Sequence, residues 1–283
     1  MLNDFQRVQV LSEALPFIQK FAGKTIVIKY GGSAMQDQVL KNKVIEDVLF
    51  LSYIGLKPVL VHGGGPIINQ WLDKLNIEPR FDKGVRITDA KTMEIVEMVL
   101  VGKVNQELVA LINKKKGKAI GLSGKDARLI VASQSSNKFD SFVGKIDAVN
   151  SNIIDLLIQK GYIPVIASVA ASLDGQSYNI NADTVAGAIA SKLKAEKLIL
   201  LTDTAGIMQN LHDPKTLVRL ADVLKIEYLK KKNIISGGMI PKVDCCIDSI
   251  SQGVQSAHII DGRVDHALLL EILTKNGIGS MLV

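Results

Sequence analysis

The sequence predicts an α/β fold: a three-layer αβα sandwich on a mainly parallel central sheet, in two lobes, preceded by a kinked N-terminal helix. Three observations predict it. Strand-like and helix-like segments alternate almost throughout the 283 residues, the βαβα pattern that builds parallel sheets. The strand segments are apolar without interruption, as in Leu198-Ile199-Leu200-Leu201, which indicates a sheet covered on both faces. Two of them run into glycine clusters, Lys29-Tyr30-Gly31-Gly32 and His62-Gly63-Gly64-Gly65-Pro66, where the backbone must turn sharply out of a strand.

The elements follow in order. In residues 4–21, Val8, Leu11, Leu15 and Ile18 keep a 3-4-3 spacing, an apolar helical stripe. Pro16 falls inside it, and a proline lacks an N–H and clashes with the carbonyl four residues back, so a kink is expected near Ser12. The stripe must be covered, either by this chain's own domain or by another subunit. Next come strand 25–29, a helix over about 37–54, strand 58–62, a helix from Ile67 to Leu75, a helix over about 90–115 and a short strand at 118–122. Residues 133–150 are polar and read as irregular. Helix 151–160, strand 163–168, an Ala-rich helix from Ala182 to Lys194 and strand 197–202 follow. Helices near 219–232 and 241–252, strand 257–260, helix 265–273 and a final Met281-Leu282-Val283 complete the chain. The weakest structural signal lies at about 170–181, a candidate lobe boundary. There is no repeat and no low-complexity linker.

Composition narrows the functions. At 47% hydrophobic the chain can bury a large core, yet no apolar run is long enough to span a bilayer. The 34 basic and 28 acidic residues leave a net charge of +6, which suits small anionic substrates. Lys114-Lys115-Lys116 and Lys230-Lys231-Lys232 read as solvated helix ends, and 5% aromatics give few base-stacking surfaces. Neither nucleic acid nor membrane is therefore an expected partner. Cys245 and Cys246 are neighbours, with Cα atoms about 3.8 Å apart, closer than a relaxed disulfide prefers. With no C-x-x-C and no His-rich spacing, no protein metal site is expected, and the pair reads as two small buried thiols in a reducing compartment. The N-terminus resembles neither a signal peptide nor a transit peptide, since Asp4 and Glu13 interrupt it. The expected location is the cytoplasm, or the plastid stroma if the gene is organellar, for which the abundance of Lys, Asn and Ile is a hint.

The glycine turns carry the chemistry. Glycine lets backbone N–H groups approach an anion, and a helix N-terminus beyond the turn adds partial positive charge. With Lys29 at the head of the first turn, two such turns suggest a phosphate-handling site. It is not one of the common ones. Gly121-Leu122-Ser123-Gly124-Lys125-Asp126 has the wrong spacing for a Walker A loop, and from Gly63 a dinucleotide fingerprint fails at Ile68. His62 reads as structural. Three later segments belong with the turns. In Asn179-Ile180-Asn181-Ala182-Asp183, just before a helix, the side chains either cap it or act in a site. Thr202-Asp203-Thr204-Ala205-Gly206 ends a strand on a glycine. Gly237-Gly238-Met239-Ile240-Pro241-Lys242 places a lysine near a helix start, against the macrodipole, which marks it as a functional candidate.

Together with Gly84-Val85-Arg86-Ile87-Thr88, these segments resemble the amino acid kinase family, in the family's order, from Lys24 to Val283. The resemblance implies a single domain over 1–283. Residues 1–21 would be an oligomerisation helix, 24–178 an N-lobe holding the acceptor, and 179–283 a C-lobe holding ATP. Within the family the motifs are most similar to the branch that transfers the γ-phosphoryl of ATP to the side-chain carboxylate of N-acetyl-L-glutamate in arginine biosynthesis. Alternatives are the glutamate, aspartate and uridylate kinases of the same fold, or a non-catalytic arginine-sensing protein. The resemblance makes Lys29, Lys242 and Asp183 the catalytic group, with the lysines on the transferring phosphoryl and Asp183 orienting them. It gives Gly31, Gly32 and Gly63 to phosphate oxygens, and Gly64, Gly65, Arg86 and Asn179 to the acceptor. Thr202, Asp203 and Gly206 would line the ATP site, with Mg²⁺ carried on the phosphates. Two positions depart from the family pattern: Ala127 stands where a glycine often follows G-K-D, and Lys145 where an acid often follows F-V-G.

The N-terminal helix and the C-terminal stretch resemble the arginine-inhibited, hexameric branch of the family. There His258, Glu271, Gly277 and Gly279 would bind L-arginine, with Glu271 as an acceptor and the glycine turn offering free backbone groups. The implied assembly is a homohexamer, a trimer of dimers. Whether a PII-type nitrogen signalling protein binds, as in photosynthetic relatives, is left open.

Overall fold

The structure is a computed structural model that describes residues 3–82, 85–135, 141–210 and 213–283. In chain order its strands are β1 (Thr25–Tyr30), β2 (Lys57–His62), β3 (Phe81–Asp82), β4 (Val85–Arg86), β5 (Ala119–Ser123), β6 (Ile130–Gln134), β7 (Gly144–Val149), β8 (Ile163–Ala167), β9 (Val169–Ala171), β10 (Ser177–Asn179), β11 (Lys197–Thr202), β12 (Leu220–Ala221), β13 (Ser256–Asp261) and β14 (Ser280–Leu282). The α-helices are α1 (Asp4–Phe21), α2 (Gln38–Tyr53), α3 (Gly65–Lys74), α4 (Ala90–Glu97), α5 (Gln106–Lys114), α6 (Asn152–Gln159), α7 (Ala182–Leu193), α8 (Val223–Lys231), α9 (Met239–Ser251) and α10 (Ala267–Leu273). The expected helix over 90–115 is one run, with a wider π segment over Met98–Asn105 joining α4 to α5.

The main sheet has the order β12-β14-β13-β11-β1-β2-β8-β5. Its pairs are parallel except β13 with β14. Successive strand residues point to opposite faces, and here both faces are apolar. Ile26, Ile28, Leu60, Ile199 and Leu201 face a core shared with α2, α4, α5 and α10. Val27, Val59, Val61, Leu198 and Leu200 face a second core shared with α7, α8 and α9. This is why the strands carry no polar alternation, and it is the three-layer sandwich that the pattern predicts.

Two regions differ from the sequence reading. The described part of 133–150 is not irregular: β6 and β7 pair antiparallel, and β6 continues through β9 to β10 in a four-stranded second sheet. Residues 169–179 are likewise a hairpin, β9 against β10. This sheet is half-exposed, so polar residues such as Lys145 and Asp147 alternate along β7 and mask the apolar signal. Residues 136–140, inside the stretch read as irregular, and Gly84, in the Gly84–Thr88 motif, lie outside the described residues.

Ala127 has φ +50°, the left-handed conformation that glycine adopts freely. The departure at this position therefore replaces a glycine where the backbone needs one. The other departure, Lys145, is exposed on β7.

Pro16 lies inside α1, whose N-terminus is closed by a capping box between Asn3 and Gln6. Only the C-terminal end of α1 is covered: Phe21 is buried and Phe17 packs on the core. Val8 is 62% and Leu11 65% exposed, with Phe5 and Leu15 also open. Among the described residues, the chain's own domain leaves Val8, Leu11 and Leu15 of the stripe uncovered.

Candidate active site

At the C-terminal end of β1, β2 lies on one side and β11 on the other, the kind of switch point where open α/β sheets bind ligands. A cavity of about 310 Å³ opens there. Its lining brings together Lys29 on β1, Gly31 and Gly32 after it, Gly63, Gly64 and Gly65 after β2, Arg86, Asn179, Asp183 and Lys242. All ten residues expected for catalysis, phosphate and acceptor therefore share one cavity.

Asp183 is its electrostatic centre. Lys242 Nζ donates to Oδ2 at 2.6 Å, and Lys29 Nζ forms an ion pair with Oδ1 at 3.1 Å. Burial pushes this carboxyl up, but the two ammonium groups outweigh it and hold the carboxyl below its ordinary range. The capping question is settled locally: Asn181, not Asp183, caps α7, accepting from the Asp183 N–H at 2.7 Å. That leaves the Asp183 side chain for the lysines.

The glycines make room. A Cβ on Gly31 would stand 2.8 Å from Lys29 Nζ, so the bare glycine leaves room for the lysine tip to lie back over the turn. Gly32 has φ +76°, and a Cβ on it would meet the Asp203 carboxylate at 2.7 Å. The second turn leads into α3, capped by Gly64, whose N-terminal N–H groups are oriented toward the cavity end of the sheet. Behind it, His62 is fully buried, and burial lowers its pKa to about 4, so it is neutral. Its Nδ1–H donates to Gly63 O at 2.9 Å, and its Nε2 accepts from Asn105 Nδ2 at 3.0 Å. The expected structural role of His62 is thus specific: it buttresses the glycine turn after β2.

Arg86 is buried at the other end of the cavity. Its Nη2 donates to Asn69 Oδ1 and, at 3.3 Å, to Gly65 O, while the Phe81 ring lies 4.8 Å from its guanidinium carbon. Nη1 is buried with no partner among the described residues, a donor left for a ligand oxygen. Asn179 Nδ2 donates to Thr88 Oγ1 at 3.2 Å, which fixes it against the Arg86 strand.

Thr202, Asp203 and Gly206 do not line this cavity. Thr202 is buried at the end of β11. The Asp203 carboxylate accepts from Ser33 Oγ at 2.8 Å and from the Ser33 N–H at 3.0 Å. Gly206 packs against Ser280, whose Oγ stands 2.6 Å from where its Cβ would be.

A second cavity, of about 190 Å³, lies between the C-terminal end of α1 and the far side of the sheet. His258, Glu271, Gly277 and Gly279 all line it, with Phe17, Lys20 and Phe21 of α1. The structure corrects one detail: Glu271 Oε2 already accepts from the N–H groups of Ile278 (2.7 Å) and Gly279 (3.0 Å), so those amides are not free. Its Oε1 meets His258 Nδ1 at 2.6 Å, and His258 Nε2 lies 2.9 Å from Lys197 Nζ. Lys197 lines this cavity too, and burial lowers its pKa to about 8.

Sequence reasoning missed Asn69, Phe81, Asn105, Ser33 and Lys197. Each is a common residue type, and only the tertiary contact gives it a role. Lys197 alone carried a signal, as a lysine opening an otherwise apolar central strand.

The model of the amino acid kinase family matches residues 24–261. The chain belongs to that family. This amino acid kinase is 62% identical, over the whole of both chains, to the acetylglutamate kinase of Gracilaria tenuistipitata var. liui. It is 61% identical to that of Thermosynechococcus vestitus, over the whole of this chain and 96% of the other. Among solved structures, the N-acetylglutamate synthase of Neisseria gonorrhoeae, complexed with coenzyme A and N-acetyl-glutamate, superposes with a TM-score of 0.85 at 23% identity, over 98% of this kinase and 63% of that chain. A Giardia carbamate kinase reaches 0.70 at 15% identity, over 93% and 99% of the two chains. These two likenesses show the fold alone.

Proposed function

We propose that this kinase transfers the γ-phosphoryl of ATP to the side-chain carboxylate of N-acetyl-L-glutamate, giving N-acetyl-L-glutamyl 5-phosphate and ADP. Relatives named acetylglutamate kinase, 58–62% identical over essentially the whole chain, support it. The single structural observation that carries it is the bridge from Lys29 through Asp183 to Lys242 beside two glycine turns. Phosphoryl transfer spreads charge over equatorial oxygens and needs little covalent help from the protein, so positioned cations and N–H groups suffice. Lys29 and Lys242 would stabilise that charge. Asp183 keeps two ammonium groups from facing each other unscreened and fixes their direction. The N–H groups of Gly31, Gly32 and Gly63 would cradle phosphate oxygens.

The acceptor would lie between Gly64, Gly65, Asn179 and Arg86, with the unpartnered Nη1 donating to its α-carboxylate. Thr202, Asp203 and Gly206 would belong to the nucleotide side, Asp203 acting through the Ser33 loop. Asp183 is the one carboxylate in the lining and both its oxygens take lysines, which offers no all-protein cage and suits Mg²⁺ riding on the nucleotide phosphates. The ion would add further charge neutralisation there.

The second cavity would take L-arginine as an inhibitor at His258, Glu271, Gly277 and Gly279, with Lys197 toward its carboxylate end and the Glu271 carboxylate accepting from its guanidinium or α-amine. The open stripe of α1 would pair with a second α1, linking dimers into a homohexamer. Residues 24–178 and 179–283 would then act as acceptor and nucleotide lobes. A PII-type nitrogen signalling protein is a further partner to test. ADP release with N-acetylglutamate, glutamate, aspartate and UMP in parallel tests the reaction. Turnover with N-acetylglutamate alone is the expected result, and preference for any of the others would replace this reading.

A further inference from the structure

We infer that the contact of Gly187 with Cys245 is a spacer that sets the distance between Asp183 and Lys242, which makes Gly187 and Cys245 positioning residues for the transfer step. This rests on the proposed kinase reaction. Gly187 lies one turn beyond Asp183 on the same face of α7, and Cys245 lies one turn beyond Lys242 on the same face of α9. The two helices therefore touch one turn below the ion pair. The touch is close: a Cβ on Gly187 would stand 2.6 Å from Cys245 Sγ and 2.9 Å from Ser249 Oγ. Ser249 is held in turn, its Oγ donating to Cys245 O at 2.7 Å. Cys245 also ties back to the site, its Sγ–H donating to the backbone carbonyl of Asp183 at 3.1 Å. Burial and the Asp183 charge push this thiol up to about 12, so it stays a thiol and keeps that proton to donate.

A methyl group at 187 meets two short side chains that are held by hydrogen bonds to Asp183 O and Cys245 O, so making room for it breaks those bonds or pushes α9 from α7. Such a shift lengthens the 2.6 Å bond from Lys242 to Asp183 and moves the lysine off the phosphoryl position. The acceptor grip around Arg86 belongs to other elements and is untouched. Displacing a transfer group by about an ångström costs on the order of 10²-fold in rate.

Steady-state kinetics of three variants in the full chain test this. Gly187→Ala should lower kcat about 10–100-fold while KM for N-acetylglutamate changes less than about two-fold. Alanine is the better helix former, so α7 itself is not weakened. Cys245→Ala with Ser249→Ala serves as the background in which the space is cleared. Adding Gly187→Ala to that background should then cost less than about three-fold. Unchanged turnover in the single variant, or a loss as large in the cleared background, would overturn the spacer. If Gly187→Ala fails to fold, the cleared background alone decides by the same criterion. The unaltered chain is the control: no turnover with N-acetylglutamate there would sink the parent reading and this inference together, whereas turnover there with an unaffected Gly187→Ala sinks only the spacer.

Discussion

Asp203, at the end of β11, holds Ser33 of the first glycine turn through both the Ser33 hydroxyl and its N–H, although 170 residues separate the two. The carboxylate also sits where a side chain on Gly32 would be. The glycine turn after β1 is therefore shaped from a strand whose end is expected to serve the nucleotide. Asp203→Ala should raise KM for ATP about five-fold or more, the loss of roughly 1 kcal/mol from part-exposed charge-assisted bonds. KM for N-acetylglutamate should stay nearly constant. Equal effects on both substrates would show that Asp203 acts on the fold at large.

Asn69, Gly65 and Phe81 hold one arm of the Arg86 guanidinium, and Nη1 is buried without a partner among the described residues. Arg86→Lys keeps the charge and loses the fork. KM for N-acetylglutamate should rise about ten-fold, more than kcat falls, because the α-carboxylate does not react. An unchanged KM would place that carboxylate elsewhere.

Arginine inhibition should depend on α1 and on Lys197. Deleting residues 1–20 removes the open stripe together with Phe17 and Lys20 of the second cavity. Sedimentation should show dimers that still phosphorylate N-acetylglutamate and have lost most of their arginine sensitivity; a fully sensitive dimer would contradict this. In the full chain, Lys197 is cationic below its lowered pKa of about 8 and neutral above it. If it pairs with the ligand's carboxylate, inhibition is strongest below that pH and weakens as pH rises through it. Sensitivity that rises over the same range would exclude that pairing.

Ala127→Gly should stabilise the chain. Ala127 is held at φ +50°, and left-handed backbone costs a non-glycine residue roughly 1–2 kcal/mol, of which glycine's greater unfolded-state freedom offsets about half. A gain of about 0.5–1 kcal/mol should appear as a higher urea midpoint with an unchanged slope. A lower midpoint would mean that the alanine methyl contributes packing that outweighs the strain.

The legible parts of this protein were those where physics acts locally. Strands 25–30 and 197–202 declare a doubly covered sheet because both their faces are apolar. Lys29 and Lys242 stood out through the glycine turn and the helix start beside them, whereas Asp183 read equally well as a helix cap and Arg86 was singled out only by the resemblance to the family. The β6–β7 hairpin was hidden because one of its faces meets water and its residues alternate weakly. Asn69 and Asn105 were hidden for another reason: each acts through one tertiary hydrogen bond, to Arg86 and His62, that no local pattern announces. Glu271 was legible as a polar residue of the second cavity, but not as the clamp on the Ile278–Gly279 turn, because a helix residue gives no sign of which loop returns to it.

The central claim is that a carboxylate receives the phosphoryl group between Lys29 and Lys242. The product is then an acyl phosphate, which hydroxylamine converts to a hydroxamate. The most direct measurement is hydroxamate formation from ATP with N-acetylglutamate or N-acetylglutamine, in the unaltered chain and in Lys29→Ala and Lys242→Ala. The account predicts hydroxamate from N-acetylglutamate only, formed about 10²–10³-fold more slowly in each lysine variant. Hydroxamate absent from the unaltered chain while ADP is released, or formed at full rate without either lysine, would contradict it.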